Sequence, residues 1–408
     1  MDSANGGWSR RRFVGVLAGA GSALVGCSTS SGVRSESASP SQASSSPAPP
    51  SPSPSPTGTR SRRAATGPRP LYLGTYTTVE GGGSGIGLAT YDAVSGRITG
   101  TGTITGVTNP SYLALHPDGR TLYAVAEQDA GAVTAVRLAD RKVLGSRSTG
   151  GAGPCHLSVH PGGRWLLSAN YGSGSVAVHP IDASGALGER RETVTHSSPA
   201  PGPGQDGPHA HQFLTSPDGG HVLAVDLGTD TVYTYRLNER SGALTQVAQA
   251  HTRPGAGPRH LTFHPGGRYA YLANESDNTV AVCAYDRAGG RLTVGAAQST
   301  GTGAGTSYPA QFLVTANGSF AYLANRGDNS LTRYAVEADG ARLRLLDTVP
   351  VRGDFPRHIA FSPDGALLFA ANQRSGTVSV FHVNVKSGAL RPAGEPFASP
   401  VAVCALPL

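Results

Sequence analysis

The residues most able to do chemistry in this chain stand in short, recurring phrases. Pro-Arg-His occurs twice, at Pro258-Arg259-His260 and Pro356-Arg357-His358, beside the related Pro154-Cys155-His156 and Pro208-His209-Ala210-His211-Gln212. Each phrase opens an apolar stretch, and each stretch is followed by a tight turn and a second stretch that ends in Asn or an acid. Those second ends bring Tyr76, Glu127, Asn170-Tyr171, Asp226, Asn274-Glu275, Asn325-Arg326 and Asn372-Gln373. Imidazoles can move a proton to and from water, and guanidiniums can hold an anion or stabilise a developing oxyanion. Three arginines gathered at one place would repel one another, so an anionic ligand is their natural counterpart.

Such gathering requires a repeat. The turn glycines recur at Gly119, Gly163, Gly219, Gly267, Gly318 and Gly365, 44 to 56 residues apart. A period of that length with several short strands marks a β-propeller blade. Within one repeat, residues 110–116, 121–127, 132–138 and 141–147 read as four successive strands. No long segment carries the 3.6-residue apolar period of a helix. Residues 71–76, 86–91 and 97–105 supply three strands of a further blade that lacks its first strand, and residues 400–406 supply a first strand with nothing after it. The expected fold is therefore all-β, a seven-bladed β-propeller closed by the C-terminal strand completing the N-terminal blade. Closure removes exposed sheet edges. In this architecture the starts of first strands and the ends of second strands meet at one channel mouth. The histidines of the turns, His116, His160 and His264, fall on the opposite face, where a structural or solvent-facing role is expected.

Three segments are expected: 1–27 a twin-arginine lipoprotein signal, 28–69 a disordered Ser/Pro-rich linker, and 70–408 the propeller. Arg10-Arg11-Arg12-Phe13 fits the export signal, and Leu24-Val25-Gly26-Cys27 a lipoprotein processing site, with Val25 where a small residue is more usual. Cys27 would be the lipidated residue, tethering an exported protein to the outer face of the cell membrane. The net charge of +7 resides largely in this leader, since residues 70–408 hold 25 basic and 24 acidic residues. With no basic patch interleaved with aromatics, nucleic acid is not expected as a partner. Cys155, Cys283 and Cys404 lie in strand-like sequence without a C-x-x-C pattern, which suits buried thiols. A serine hydrolase is disfavoured by the absence of G-x-S-x-G. The Arg-rich set disfavours a cation, so neither metal nor other cofactor is expected.

Leu71–Thr77 (L-Y-L-G-T-Y-T), the two P-R-H openings, Y-L-A-N-E at 271–275, Y-L-A-N-R-G-D-N-S at 322–330 and A-N-Q-R-S-G-T-V-S-V at 371–380 together resemble the bacterial seven-bladed propeller lactonases. That family includes 6-phosphogluconolactonases and carboxymuconate cyclase-like relatives. The resemblance implies hydrolysis of an anionic sugar lactone, 6-phosphogluconolactone or a related aldonolactone; apart from it, a monomer is expected. On it, His211, His260 and His358 become the proton-transfer candidates, with Glu275 assisting one of them. Arg259, Arg326 and Arg357 become ligands for the anion, and His156, His209 and Gln212 complete the pocket. Two other readings stand beside this one: a non-catalytic tethered propeller that binds carbohydrate or protein, and a muconate-type cyclase or lyase.

Overall fold

The computed structural model describes residues 67–197, 205–302 and 306–408. The export signal, the processing site at Cys27 and the linker up to residue 66 lie outside the described residues. Seven antiparallel sheets follow one another around a ring, six of four strands and one of five. Their inner strands are Leu113–Leu115, Pro154–Val159, Ala210–Thr215, Pro258–Phe263, Tyr308–Val314, Pro356–Phe361 and Ala402–Pro407, defining blades 1 to 7. Helix among the described residues is limited to the single 3-10 turn Ala338–Gly340.

Blade 7 is assembled from the first and last strands of the ring. Ala402–Pro407 pairs with Pro68–Thr75, with Leu71 opposite Pro407 and Gly74 opposite Cys404. The Thr75 hydroxyl donates to the Pro400 carbonyl at 2.6 Å, and the Leu408 N–H to the Pro70 carbonyl at 2.9 Å. Ala402, Val403, Cys404 and Ala405 are almost wholly buried, so the closing strand contributes to the core as well as to the ladder. Deleting residues 402–408 opens the edge of Pro68–Thr75 and empties one side of two blade interfaces. The expected result is a fall in Tm of about 10 °C or more, or failure to fold, read by calorimetry against the full chain.

The core is divided in the same way as the ring. Seven apolar clusters occur, one at each junction between neighbouring blades. Their middles are Ala, Val and Leu from the second strands, the small and branched side chains that let twisted sheets pack face to face. Buried tyrosines add directional pins: Tyr123, Tyr271 and Tyr322 donate to the carbonyls of Gly185, Gly340 and Gly388 in the next blade. The repeated turn glycines take φ between 68° and 75°, the left-handed conformation such a hairpin requires. On that face two of the three turn histidines are inter-blade clips: His116 Nε2 lies 2.9 Å from the Gly163 carbonyl and His264 Nε2 3.3 Å from that of Gly318, while His160 Nδ1 accepts the Gly162 N–H of its own turn at 3.2 Å.

One element differs from the sequence expectation, and a second departs from the pattern of the other blades. The inner strand of blade 1 is only Leu113–Leu115, because Asn109 turns the chain at φ +42° and its carboxamide oxygen gathers the Thr77 and Thr78 N–H groups at 2.7 and 3.1 Å. The outer edge of blade 6 is split into Leu390–Pro392 and Phe397–Ala398, around Gly394 at φ +132°. Cys155, Cys283 and Cys404 are buried free thiols.

Candidate active site

Each Pro-x-His phrase hides a break in the ladder. In blades 2, 3, 4 and 6 the register skips one residue, between Pro154 and His156, Ala210 and Gln212, Pro258 and His260, and Pro356 and His358. The residues left over are Cys155, His211, Arg259 and Arg357. A bulge bends its strand and re-aims the extra side chain. Adjacent residues of one phrase therefore have different environments.

The residues held in the ladder form a belt between blades. The Gln212 carboxamide oxygen accepts the Leu261 N–H at 2.6 Å, and its amide nitrogen reaches the Leu261 carbonyl at 3.2 Å and His260 Nε2 at 3.1 Å. His156 Nδ1 faces the Phe213 N–H and His358 Nδ1 the Ala405 N–H, each at 3.4 Å. Gln311 faces Ile359 in the same way at 3.3 Å. An Nδ1 that accepts leaves the proton of a neutral imidazole on Nε2. Burial, followed by the charges of neighbouring His358 and Arg259, pushes His156 down to about 3; burial and Arg259 do the same to His358. His260 is also held well below its ordinary value, by burial and then by His156 and Arg259.

The bulged residues meet the ends of the second strands. Arg259 Nε lies 3.0 Å from Glu275 Oε2, and the same oxygen contacts Arg326. Arg326 also donates to the Tyr308 and Pro309 carbonyls at 3.2 Å. Across the mouth Arg357 stands 3.9 Å from Glu127, whose other oxygen accepts from the Tyr76 hydroxyl at 3.0 Å and from Ser111. All three guanidiniums thus share one mouth with two carboxylates, leaving one positive charge in excess. Burial alone would raise the Glu275 carboxyl, but Arg326 and Arg259 outweigh it and hold the group below its ordinary value. Burial and the charge of Arg326 depress Arg259. A guanidinium does not readily surrender its proton, so this crowding favours an anion at the mouth.

His211 sits at the focus of these charges. It is 8% exposed, its Nδ1 is buried without a hydrogen-bond partner, and its ring meets Tyr171 edge-on at 5.8 Å. Burial, then Arg259, Arg357 and Arg326, keep it well below its ordinary value of 6.5. His209 stands at the rim, stacked on Tyr171 at 4.5 Å, with Nδ1 2.9 Å from the Tyr171 carbonyl and Nε2 3.0 Å from Asp206.

All ten residues selected from the sequence line this end of the ring, but they divide. His211, Arg259, Arg326, Arg357 and Glu275 form the charged cluster, His156, Gln212, His260 and His358 the belt, and His209 the rim. The strand-end asparagines are structural: Asn170, Asn274, Asn325 and Asn372 each tie back to a hydroxyl of the next strand at 2.9–3.0 Å. The sequence reading placed Tyr76, Glu127 and Tyr171 at this mouth as strand ends but gave them no role, and it did not select Ser111. Glu127 carried a further signal, since Glu stands one past a second strand only there and at Glu275. Ser111 carried none.

The sequence and the overall fold are similar to those of known proteins. The sequence pattern of the family described as "Lactonase, 7-bladed beta-propeller" matches residues 70–407. The chain belongs to this family. Among relatives of the lactonase fold, the 6-phosphogluconolactonase of Bacillus subtilis is 32% identical over 342 residues, covering 82% of this chain and 96% of that protein. The 6-phosphogluconolactonase of Formosa agariphila is 28% identical over 336 residues, covering 79% and 94%. Of solved structures, the periplasmic gluconolactonase of Pseudomonas aeruginosa superposes with a TM-score of 0.77 at 32% identity, over 84% of this chain and 99% of that one. A Lactobacillus plantarum protein gives 0.78 at 32% identity, over 84% and 99%.

Proposed function

We propose that this lactonase-family chain hydrolyses a sugar lactone to the open-chain acid, with His211 as the base and the three arginines as the oxyanion site. The observation that carries the reading is the unpartnered His211 Nδ1 set among Arg259, Arg326 and Arg357. Water attacks the lactone carbonyl carbon while His211 Nδ1 takes its proton. The carbonyl oxygen becomes an oxyanion facing guanidiniums that are already ordered by Glu275 and Glu127. Collapse breaks the bond to the ring oxygen, which leaves as an alkoxide and takes the proton back from His211. The new carboxylic acid ionises and releases one proton to solvent.

The belt histidines serve as walls and hydrogen-bond donors in this scheme. His260 already receives the Gln212 amide, and His156 and His358 have their Nδ1 atoms turned to backbone N–H groups. Negative charge on the substrate offsets the guanidinium field and so raises the basicity of His211 in the complex. Export is inferred from the twin-arginine and Cys27 motifs, and the periplasmic relative from Pseudomonas aeruginosa supports it.

The test is proton release by the full chain on gluconolactone and 6-phosphogluconolactone, with spontaneous hydrolysis subtracted. Folded protein that gives no rate above background removes the reading. The pH profile follows from His211. A base whose pKa is depressed stays in its active neutral form until the pH falls through the lowered value. Hence kcat/KM is expected to stay flat from about pH 8 to about pH 6, where an ordinary histidine would already have lost more than half of its base form.

A further inference from the structure

At the rim of the mouth the loop entering blade 6 holds a phenylalanine in a conformation that bulky residues avoid. Phe355 has φ +67°, and Asn329, which fastens it, has φ +57°. The Phe355 N–H donates to the Asn329 carboxamide oxygen at 2.8 Å, the Phe355 carbonyl accepts the Gln373 N–H at 3.0 Å, and Asn329 Nδ2 reaches Asp354 at 2.9 Å. A left-handed phenylalanine is strained and persists where its surroundings over-determine it. The ring is placed by this arrangement between two guanidiniums. Arg374 lies 3.9 Å above its centroid, and Arg326 of the charged cluster 5.3 Å from it.

The two arginines differ in their partners. Arg326 is buried and spent on Glu275 and two carbonyls. Arg374 is exposed, and no ion pair to a carboxylate is found for it among the described residues. The inner cluster has one positive charge in excess, which the oxyanion and then the product carboxylate neutralise. A substrate that carries a second, doubly charged group needs a further cation, and Arg374 is a free one, oriented by a stacked ring, next to that cluster. Stacking leaves the N–H edge of a guanidinium open to an oxyanion.

We propose that Arg374, set on Phe355, is the specificity-determining residue for a phosphate ester at the end of the substrate remote from the lactone carbonyl. The inference deepens the lactonase reading and rests on it only for the position of the carbonyl. A charge-assisted contact of this kind supports a discrimination of about tenfold or more.

The experiment uses the full chain and two paired probes. Turnover is measured on 6-phosphogluconolactone and gluconolactone, and calorimetry measures binding of 6-phosphogluconate and gluconate, for wild type, Arg374→Ala, Arg374→Lys and Phe355→Leu. The expected result is that Arg374→Ala raises KM for the phosphorylated lactone about tenfold or more, with kcat unchanged and both constants for gluconolactone unchanged. Arg374→Lys is expected to restore part of the loss. Phe355→Leu is expected to weaken the phosphorylated probe through a misplaced Arg374. Equal losses on both substrates, no loss on either, or a wild type indifferent to the phosphate would overturn the proposal. A wild type that turns over neither lactone yet binds 6-phosphogluconate through Arg374 would retire the lactonase reading and leave the phosphate contact standing.

Discussion

Replacing Arg259 with Ala is expected to lower kcat/KM for the lactone by about a hundredfold to a thousandfold while the protein stays folded. Arg259 is the bulged residue of blade 4, 3% exposed, and its Nε stands 3.0 Å from Glu275. It is placed by backbone geometry rather than by side-chain packing, so truncation removes a charge without collapsing the strand. Glu275 retains Arg326 as a partner, which avoids the heavy penalty of a buried carboxylate left alone. The loss should fall on kcat, because the oxyanion exists only along the reaction path. Arg259→Lys keeps the charge but not the planar fork and is expected to recover only part of the rate. Proton release gives the rate and thermal unfolding gives the fold. A variant that unfolds in step with its loss of activity would show that the charge serves the ring instead.

Acid is expected to dismantle the propeller at a milder pH than carboxylate titration alone would. His156 and His358 are depressed to about 3 and His179 to about 4, with burial the first cause in each, and His211 and His260 are held well down too. The unfolded chain binds protons at these histidines near 6.5 while the folded ring refuses them. Their contribution to stability is therefore complete above that value. It is lost as the pH falls below it, until the folded groups themselves titrate. Each imidazole contributes about 1.4 kcal/mol per pH unit inside that window, so five together reach the total stability of an ordinary domain within about two units. Unfolding is expected between about pH 6 and about pH 4.

A conservative variant isolates the cause. Blades 3 and 5 place Gln212 and Gln311 where blades 2 and 6 place His156 and His358, and these glutamines accept the same inter-blade N–H. The double variant His156→Gln, His358→Gln should therefore fold, and its stability should fall less steeply with acid, by the equivalent of two protons. Denaturant midpoints across the pH range measure that slope. An unchanged slope would place the acid sensitivity outside the belt.

The ring was legible from the sequence because its determinants repeat: turn glycines that need positive φ, alternating strands, and two half-blades that fit only each other. The membership of the mouth was legible for the same reason, since blade geometry assigns strand starts and strand ends to one face. The division of labour within Pro-Arg-His was not. A one-residue bulge leaves no mark in composition, and it decides that Arg259 turns to the charged cluster while His260 is bound to its neighbour. Glu127 was placed at the mouth as a strand end but given no role, and Ser111 escaped for a different reason. It lies in blade 1, where the turn at Asn109 shortens the inner strand, so it falls outside the repeated phrase. Phe355 was invisible because its importance lies in a dihedral angle.

Blade 7 joins residue 408 to residue 70 by a backbone hydrogen bond, on the face away from the mouth. The two ends of the ring, residues 68 and 408, thus lie close together within one sheet, and the blades follow around the ring in the order of the sequence. A short peptide linking 408 to 68 would make the backbone a continuous loop, which could be cut at another exposed hairpin without displacing a mouth residue. Within residues 68–408 the position of the break in the ring is then a matter of connection alone, and the mouth is expected to keep its geometry under circular permutation of the blades.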